Sequence, residues 1–208
     1  MTQSVKKGRP KQDPEAAELK EKRIIEAAKK LFHEEGVDSV SMRRIAADVG
    51  MGVMTLYKYF ANKNAILHHI WDEFIVELFV GLQEKVSAEN THHDKFRVAC
   101  YEYLNYWFKH PARFRMVFLN EDSPGSESSY FIHHADIEVR MNNVFLPLTQ
   151  LVFAEKSDEQ LLKIIQGVIC HMNGIALNLI TISEYQWAGH ECLLDAYLDL
   201  LIESSLGA

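Results

Sequence analysis

Residues 41–63, SMRRIAADVGMGVMTLYKYFANK, read as two short helices joined by a tight turn, followed by aromatics and lysines too polar to be all core. Ile45, Ala46 and Val49 fall at i, i+1 and i+4, one buried stripe on a helix of about two turns. Ser41 is an N-cap by residue type, and Val40 and Ile45 take the N′ and N4 places of a hydrophobic staple. Gly50 ends the first helix where a left-handed residue is required. Met51 packs inward, and Gly52 tolerates the N-cap position of a second helix over 53–60, with Leu56 and Phe60 facing the core. The pattern is a helix-turn-helix.

A third helix backs it. Asp13 and Pro14 form an N-cap and N1 pair, Ile24, Ile25, Ala28, Leu31 and Phe32 follow the helical period, and Gly36 closes the segment. Ahead of it, residues 1–12 carry Lys6, Lys7, Arg9 and Lys11 with few apolar groups: a flexible basic arm that either follows a DNA backbone or is a plain tail. Residues 1–63 hold 13 lysines and arginines against 9 acidic residues, while the whole chain carries a net charge of -7. An acidic chain is repelled by a polyanion overall, yet a local basic end still docks on one.

The remainder is helical too. Proline and glycine are sparse, no alternating β-branched run appears, and 48% hydrophobic content in 208 residues supports a full core, so the expected class is all-α. A long helix over 62–86 carries Ile66, Leu67, Ile70, Trp71, Phe74, Leu78 and Leu82 in register, and 87–94 is polar and expected as a loop. Phe96, Ala99, Cys100, Tyr103, Leu104 and Trp107 mark a fifth helix, and Pro111 starts a sixth over 112–119. The acidic stretch 120–129 is a loop. A seventh helix runs over 130–155, kinked or split at Pro147. Ser157 and Gln160 form a capping box for an eighth, to 182, and a ninth spans 191–205. The expected organisation is therefore about nine helices: a helix-turn-helix domain over 13–63 and a helical domain over 64–208, linked by the helix over 62–86.

The residues Arg23-Ile24-Ile25, Ala27-Ala28, Leu31-Phe32, Gly36, Ile45-Ala46, Val49-Gly50, Thr55-Leu56-Tyr57, Tyr59-Phe60 and Lys63 resemble the N-terminal domain of the TetR family of bacterial transcriptional regulators. The resemblance covers residues 20–70, about a quarter of the chain, without gaps. Gly52 departs from it where a serine-like cap is usual, and Met54 where a small residue or proline is common. It implies a homodimer that binds a double-stranded DNA operator through the helix-turn-helix, with a C-terminal domain that takes a small-molecule effector altering operator affinity. It also implies that the fourth helix links the DNA head to the body.

Chemistry assigns roles beside that resemblance. Ser41 offers a hydroxyl and nearby free N–H groups to a phosphate. By the pattern of the family it resembles, Arg43 reaches a base edge or the backbone and is the first candidate for direct readout, and Arg44 is a phosphate contact, an ion pair or simply exposed to solvent. Val53 and Met54 begin the second helix, where apolar side chains meet a thymine methyl. Thr55, Tyr57, Lys58, Tyr59 and Lys63 suit phosphates, because hydroxyls and ammoniums fix register without reading sequence.

In the body, two apolar faces on the eighth helix require burial in its own core and against a partner, so the last two helices are the expected homodimer interface. Gln166, His171, Asn173 and Asn178 interrupt that helix and argue against a membrane span. Trp107, Phe108, Phe114, Phe118, Phe131, Met141, Phe145 and Met172, with His134, His171 or Asn173 as polar anchors, either line an effector cavity or fill a core. The second alternative gives a ligand-independent DNA-binding regulator. No cofactor or metal is expected, since the ten histidines lack ligand spacing, and no nucleophile is positioned for an enzyme. Cys100, Cys170 and Cys192 without a CxxC suit reduced cytoplasmic thiols, and the N-terminus has no apolar leader.

Overall fold

The structure, a computed structural model, describes residues 14–119 and 135–206. The expected basic arm, the Asp13 cap, the loop over 120–129, the start of the seventh helix and the candidate residues Phe131 and His134 lie outside the described residues. Among the described residues there are nine α-helices and no strand: α1 Pro14–Glu35, α2 Met42–Val49, α3 Val53–Leu56, α4 Lys63–Ser87, α5 His92–Lys109, α6 Pro111–Phe118, α7 Ala135–Val152, α8 Asp158–Thr181 and α9 His190–Leu206. The chain divides into two compact units, Met1–Ile70 and Trp71–Ala208, with the division inside α4.

In the first unit the helix ends are set by local chemistry. The Arg44 N–H donates to Ser41 Oγ at 3.2 Å, capping α2. At the other end Gly50 has φ 73°, its N–H donates to Ala47 O at 3.2 Å, and the Met51 N–H reaches Ala46 O at 2.9 Å, the paired bonds of a Schellman turn. Gly36 closes α1 with φ 80°. Ile24, Ala28, Leu31 and Phe32 of α1, Val40 and Ile45 of the staple, Leu56, Phe60, and Ile66, Leu67 and Ile70 of α4 are all buried. Each large apolar side chain so buried contributes about 2 kcal/mol before entropy is counted.

The second helix of the motif is shorter than its sequence predicts. Rather than running over 53–60, α3 ends at Leu56 and residues 57–59 form turns. The Lys58 N–H donates to Thr55 O at 3.1 Å and the Tyr59 N–H to Leu56 O at 2.9 Å, so the ladder tightens to i→i−3. Tyr57, at ψ -12°, starts that tightening, and Phe60 comes round into the core behind Leu56.

In the second unit α5 is central and packs against α6, α7, α8 and α9. Its predicted inner face, from Phe96 to Trp107, is buried. Arg97 pairs with Asp195 at 3.2 Å and with Asp199, and Tyr101 also bonds Asp195, which pins α5 to α9. Three boundaries differ from expectation. The helix starts at His92 within the expected loop, because Thr91 Oγ1 accepts from the Asp94 N–H at 3.0 Å. Pro147 does not split α7, which continues to Val152. It stops there, short of 155, because Phe153 turns into the core, edge-on to Phe96 at 5.8 Å. For α8 the capping box forms as read: the Ser157 N–H donates to Gln160 Oε1 at 2.9 Å and the Gln160 N–H to Ser157 Oγ at 3.4 Å. Leu161, Ile165, Val168 and Met172 are buried, while Leu162 and Leu177 remain 44% and 40% exposed.

Candidate nucleic-acid interface

The two arginines of α2 differ in what they already hold. Arg44 Nη2 lies 2.9 Å from Glu35 Oε1 and Nη1 3.4 Å from Asp48 Oδ1. The hydrogen bond to Glu35 pushes the guanidinium further up from its ordinary range. Arg43 is exposed and, among the described residues, has no hydrogen-bond or ion-pair partner. An unpaired guanidinium on an exposed helix keeps all five donors for a ligand.

Ser41 is exposed, and its oxygen is engaged as an acceptor, which leaves its own O–H to donate outward. On α3, Val53 is half-buried and Met54 is 73% exposed, the largest exposure among the large apolar side chains described. Thr55, Tyr57 and Lys58 are exposed and Tyr59 is half-buried. The motif thus separates its faces: Ile45, Ala46, Leu56 and Phe60 hold it to the core, and Arg43, Met54, Thr55, Tyr57 and Lys58 face solvent. Lys63 is half-buried, and its Nζ donates to Val37 O at 2.7 Å. The Arg44–Asp48 pair is legible from its i, i+4 spacing. The Glu35 and Val37 contacts join segments 9 and 26 residues apart and carry no sequence signal.

The residues proposed for an effector fall into two groups. Trp107 lies edge-on to Phe114 and Phe118 at 5.7 and 5.3 Å, and Tyr103 edge-on to Trp107 and Phe145 at 6.1 and 6.5 Å. Tyr103 donates its hydroxyl to Asn173 Oδ1 at 2.7 Å, and burial pushes its phenol well above the usual range, keeping it a donor. Met172 is buried on α8, and Met141 is half-exposed on α7. Phe108 and His171 instead meet α9, through His190 at 4.4 Å and Tyr197 at 3.9 Å. Between α8 and α9 lies an open cleft of about 270 Å³, lined by Gly174, Asn178, Leu179, Trp187 and Leu193 among others. Sequence reading missed Trp187, which is fixed by an Nε1–H bond to Ile182 O at 2.9 Å.

Residues 24–70 match the family model described as bacterial regulatory proteins, tetR family. An HTH-type transcriptional regulator of Staphylococcus aureus (strain USA300) is 48% identical over 48 residues, which cover 23% of this chain and 26% of that relative. The match therefore spans about a quarter of the curated relative's length. Among solved structures, a bacterial regulatory protein in the tetR family from Rhodococcus RHA1 has the same fold, with a TM-score of 0.61 at 17% identity over 89% of this chain and 96% of that one. The transcriptional regulator FadR from Bacillus subtilis, in complex with stearoyl-CoA, superposes with a TM-score of 0.57 at 16% identity over 87% of this chain and 97% of that one.

Proposed function

We propose, from the match of residues 24–70 to the tetR family model and the 48-residue likeness to an HTH-type transcriptional regulator, that this chain is a TetR-family, sequence-specific DNA-binding transcriptional regulator. It acts in the cytoplasm as a repressor on a pseudo-palindromic operator and leaves it when a small molecule binds the C-terminal unit. It is a binding protein and not an enzyme. The observation that carries this reading is the α2–α3 surface, where apolar residues anchor the motif and Arg43, Met54, Thr55, Tyr57 and Lys58 are exposed. Ser41, Arg43, Val53 and Met54 face the bases and nearest phosphates, and Thr55, Tyr57, Lys58, Tyr59 and Lys63 fix register on the backbone. Arg44 serves the motif's internal ion pairs first.

A second copy binds through α8 and α9. Leu162 and Leu177 on α8 and Leu200 on α9, the last 70% exposed, support that interface. A two-fold dimer presents two α3 segments to two half-sites. Effector binding is supported by the likeness to a FadR that holds stearoyl-CoA, which makes acyl-CoA thioesters the first class to try. The edge-on packing of Trp107, Phe114 and Phe118 favours a second reading, a ligand-independent regulator with a filled core.

One experiment separates these. Purified protein selects from randomised duplexes, alone and with acyl-CoAs of graded chain length. Enrichment of a palindrome supports the DNA reading, and its loss with one acyl-CoA supports the effector reading. Enrichment that no acyl-CoA or other added metabolite changes favours the filled core, and failure to enrich any palindrome sinks the central proposal.

A further inference from the structure

We propose that the cleft between α8 and α9 binds a small, uncharged, flat aromatic molecule that carries a hydrogen-bond donor, at a site separate from the α2–α3 surface and independent of DNA binding. Gly174 is the first pointer. It sits inside α8, where glycine destabilises a helix relative to alanine. Its backbone does not require glycine, since the positive φ values among the described residues belong to Gly36 and Gly50. Nor does packing within the chain: a Cβ built at Gly174 would meet no atom within 4 Å. Gly167 on the same helix differs, because a Cβ there would come within 3.4 Å of Tyr197 Oη. What the missing side chain of Gly174 does is keep open the cleft of about 270 Å³ that it lines.

The lining defines the occupant. Ile175, Leu179, Leu193 and Trp187 supply an apolar wall. Among the described residues no lysine, arginine, aspartate or glutamate lines the cleft, so an ionic ligand would lose hydration without gaining a counter-charge. The Trp187 indole is held by its Nε1–H bond to Ile182 O at 2.9 Å and by the Tyr185 ring at 4.5 Å, which gives a flat ring a fixed partner. Asn178 donates its amide N–H to Gly174 O at 2.8 Å, which leaves Oδ1 as the acceptor for a ligand N–H or O–H. The volume falls at the lower end of small-molecule pockets, about 300 Å³, and suits one or two fused rings. A leucine from a second copy would cover the apolar wall and offer nothing to Asn178 Oδ1. It would equally leave His171 Nε2, a buried nitrogen of a lining residue, without the hydrogen-bond partner it lacks.

The test is equilibrium dialysis of the full-length protein against three probes: 2-naphthol, naphthalene, which lacks the hydroxyl, and 2-naphthoate, which carries a charge. Wild type should bind 2-naphthol saturably, naphthalene about fivefold more weakly, the value of one hydrogen bond, and 2-naphthoate not at all. Asn178→Ala should bind 2-naphthol and naphthalene alike. Gly174→Leu should plug the cleft and bind none of the three. Its melting temperature should be no lower than that of wild type, because leucine is the better helix former. Gly174→Ala, with a single methyl in the same space, should weaken 2-naphthol binding and leave the fold intact. Absence of saturable 2-naphthol binding by wild type, equal binding of naphthalene or 2-naphthoate, or undiminished binding in both Gly174 variants overturns the proposal. An intact hydroxyl preference in Asn178→Ala does the same for the donor. A wild type that binds no probe, with Gly174→Leu sedimenting as a monomer, overturns it in favour of a second copy as the occupant.

Discussion

Lys63 Nζ donates to the carbonyl oxygen of Val37 at 2.7 Å, joining the first residue of α4 to the turn between α1 and α2. A lysine that sequence reading places on a phosphate is thus also a clasp within the helix-turn-helix unit. Its ammonium has three donors, and one is used. Lys63→Ala should therefore lower stability by about 1 kcal/mol, the scale of one partly exposed hydrogen bond, read as a shift in urea midpoint. It should also flatten the slope of log affinity against log salt by about 0.9. A destabilised variant with an unchanged slope would leave Lys63 the clasp alone.

Arg43 and Arg44 should separate cleanly despite being neighbours. Arg43→Ala removes an unpaired guanidinium and should cost about 1–3 kcal/mol of discrimination at one base pair, measured by competition between the selected duplex and single-base variants. Arg44→Ala removes a side chain occupied by Glu35 and Asp48, so base preferences should be unchanged. If the two variants lost discrimination at the same position to the same extent, these roles would be wrong.

The exposed leucines of α8 and α9 give an independent handle on assembly. Leu177→Glu with Leu200→Glu should place like charges on a face that sheds water in a dimer, and sedimentation should then report a monomer with unchanged helix content. Such a monomer should also lose most of its affinity for a two-half-site duplex. A double variant that still sediments as a dimer would move the interface elsewhere.

His110 supplies a pH signature. Burial first, then the charges of Arg113 and Lys109, hold its imidazole below the ordinary value, against the opposing pull of Glu77 at 3.8 Å. In the unfolded chain it titrates near pH 6.5, roughly the free imidazole value. Between that value and the lower folded one the unfolded state binds more protons, so the contribution is whole above about pH 7 and is lost as pH falls through the folded pKa. His110→Gln should flatten melting temperature against pH over about pH 7 to 5. Parallel curves for the two proteins would exclude His110 as the source.

What the sequence discloses is mostly what is decided within one turn of helix. Ser41 and Gly50 bracket α2, and Ser157 with Gln160 opens α8, because each cap is satisfied by a backbone group three or four residues away. The buried stripes of α1 and α5 are legible for the same reason of period. The end of α3 is not, since it depends on Phe60 finding the core behind Leu56. Nor is the start of α5: the polar run around His92 reads as loop, while the Thr91–Asp94 cap outweighs that composition. At the candidate interface Arg43 and Arg44 are of one type; the i, i+4 spacing to Asp48 separates them in the sequence, and Glu35, brought in from α1, adds a contact that the sequence does not signal. The effector residues are least legible, because an inward aromatic looks the same whether it lines a space or fills one.

Pro147 and Thr149 share a turn of α7. Proline has no N–H to return to the carbonyl of Asn143. Two residues later Thr149, buried, donates its Oγ1 hydroxyl to the carbonyl of Phe145 at 2.7 Å. The weakened rung and its brace both belong to one helix, so the mechanical compliance of α7 is written into that segment alone. Neighbours replaced over evolution can alter what α7 presses against while the point at which it yields stays put.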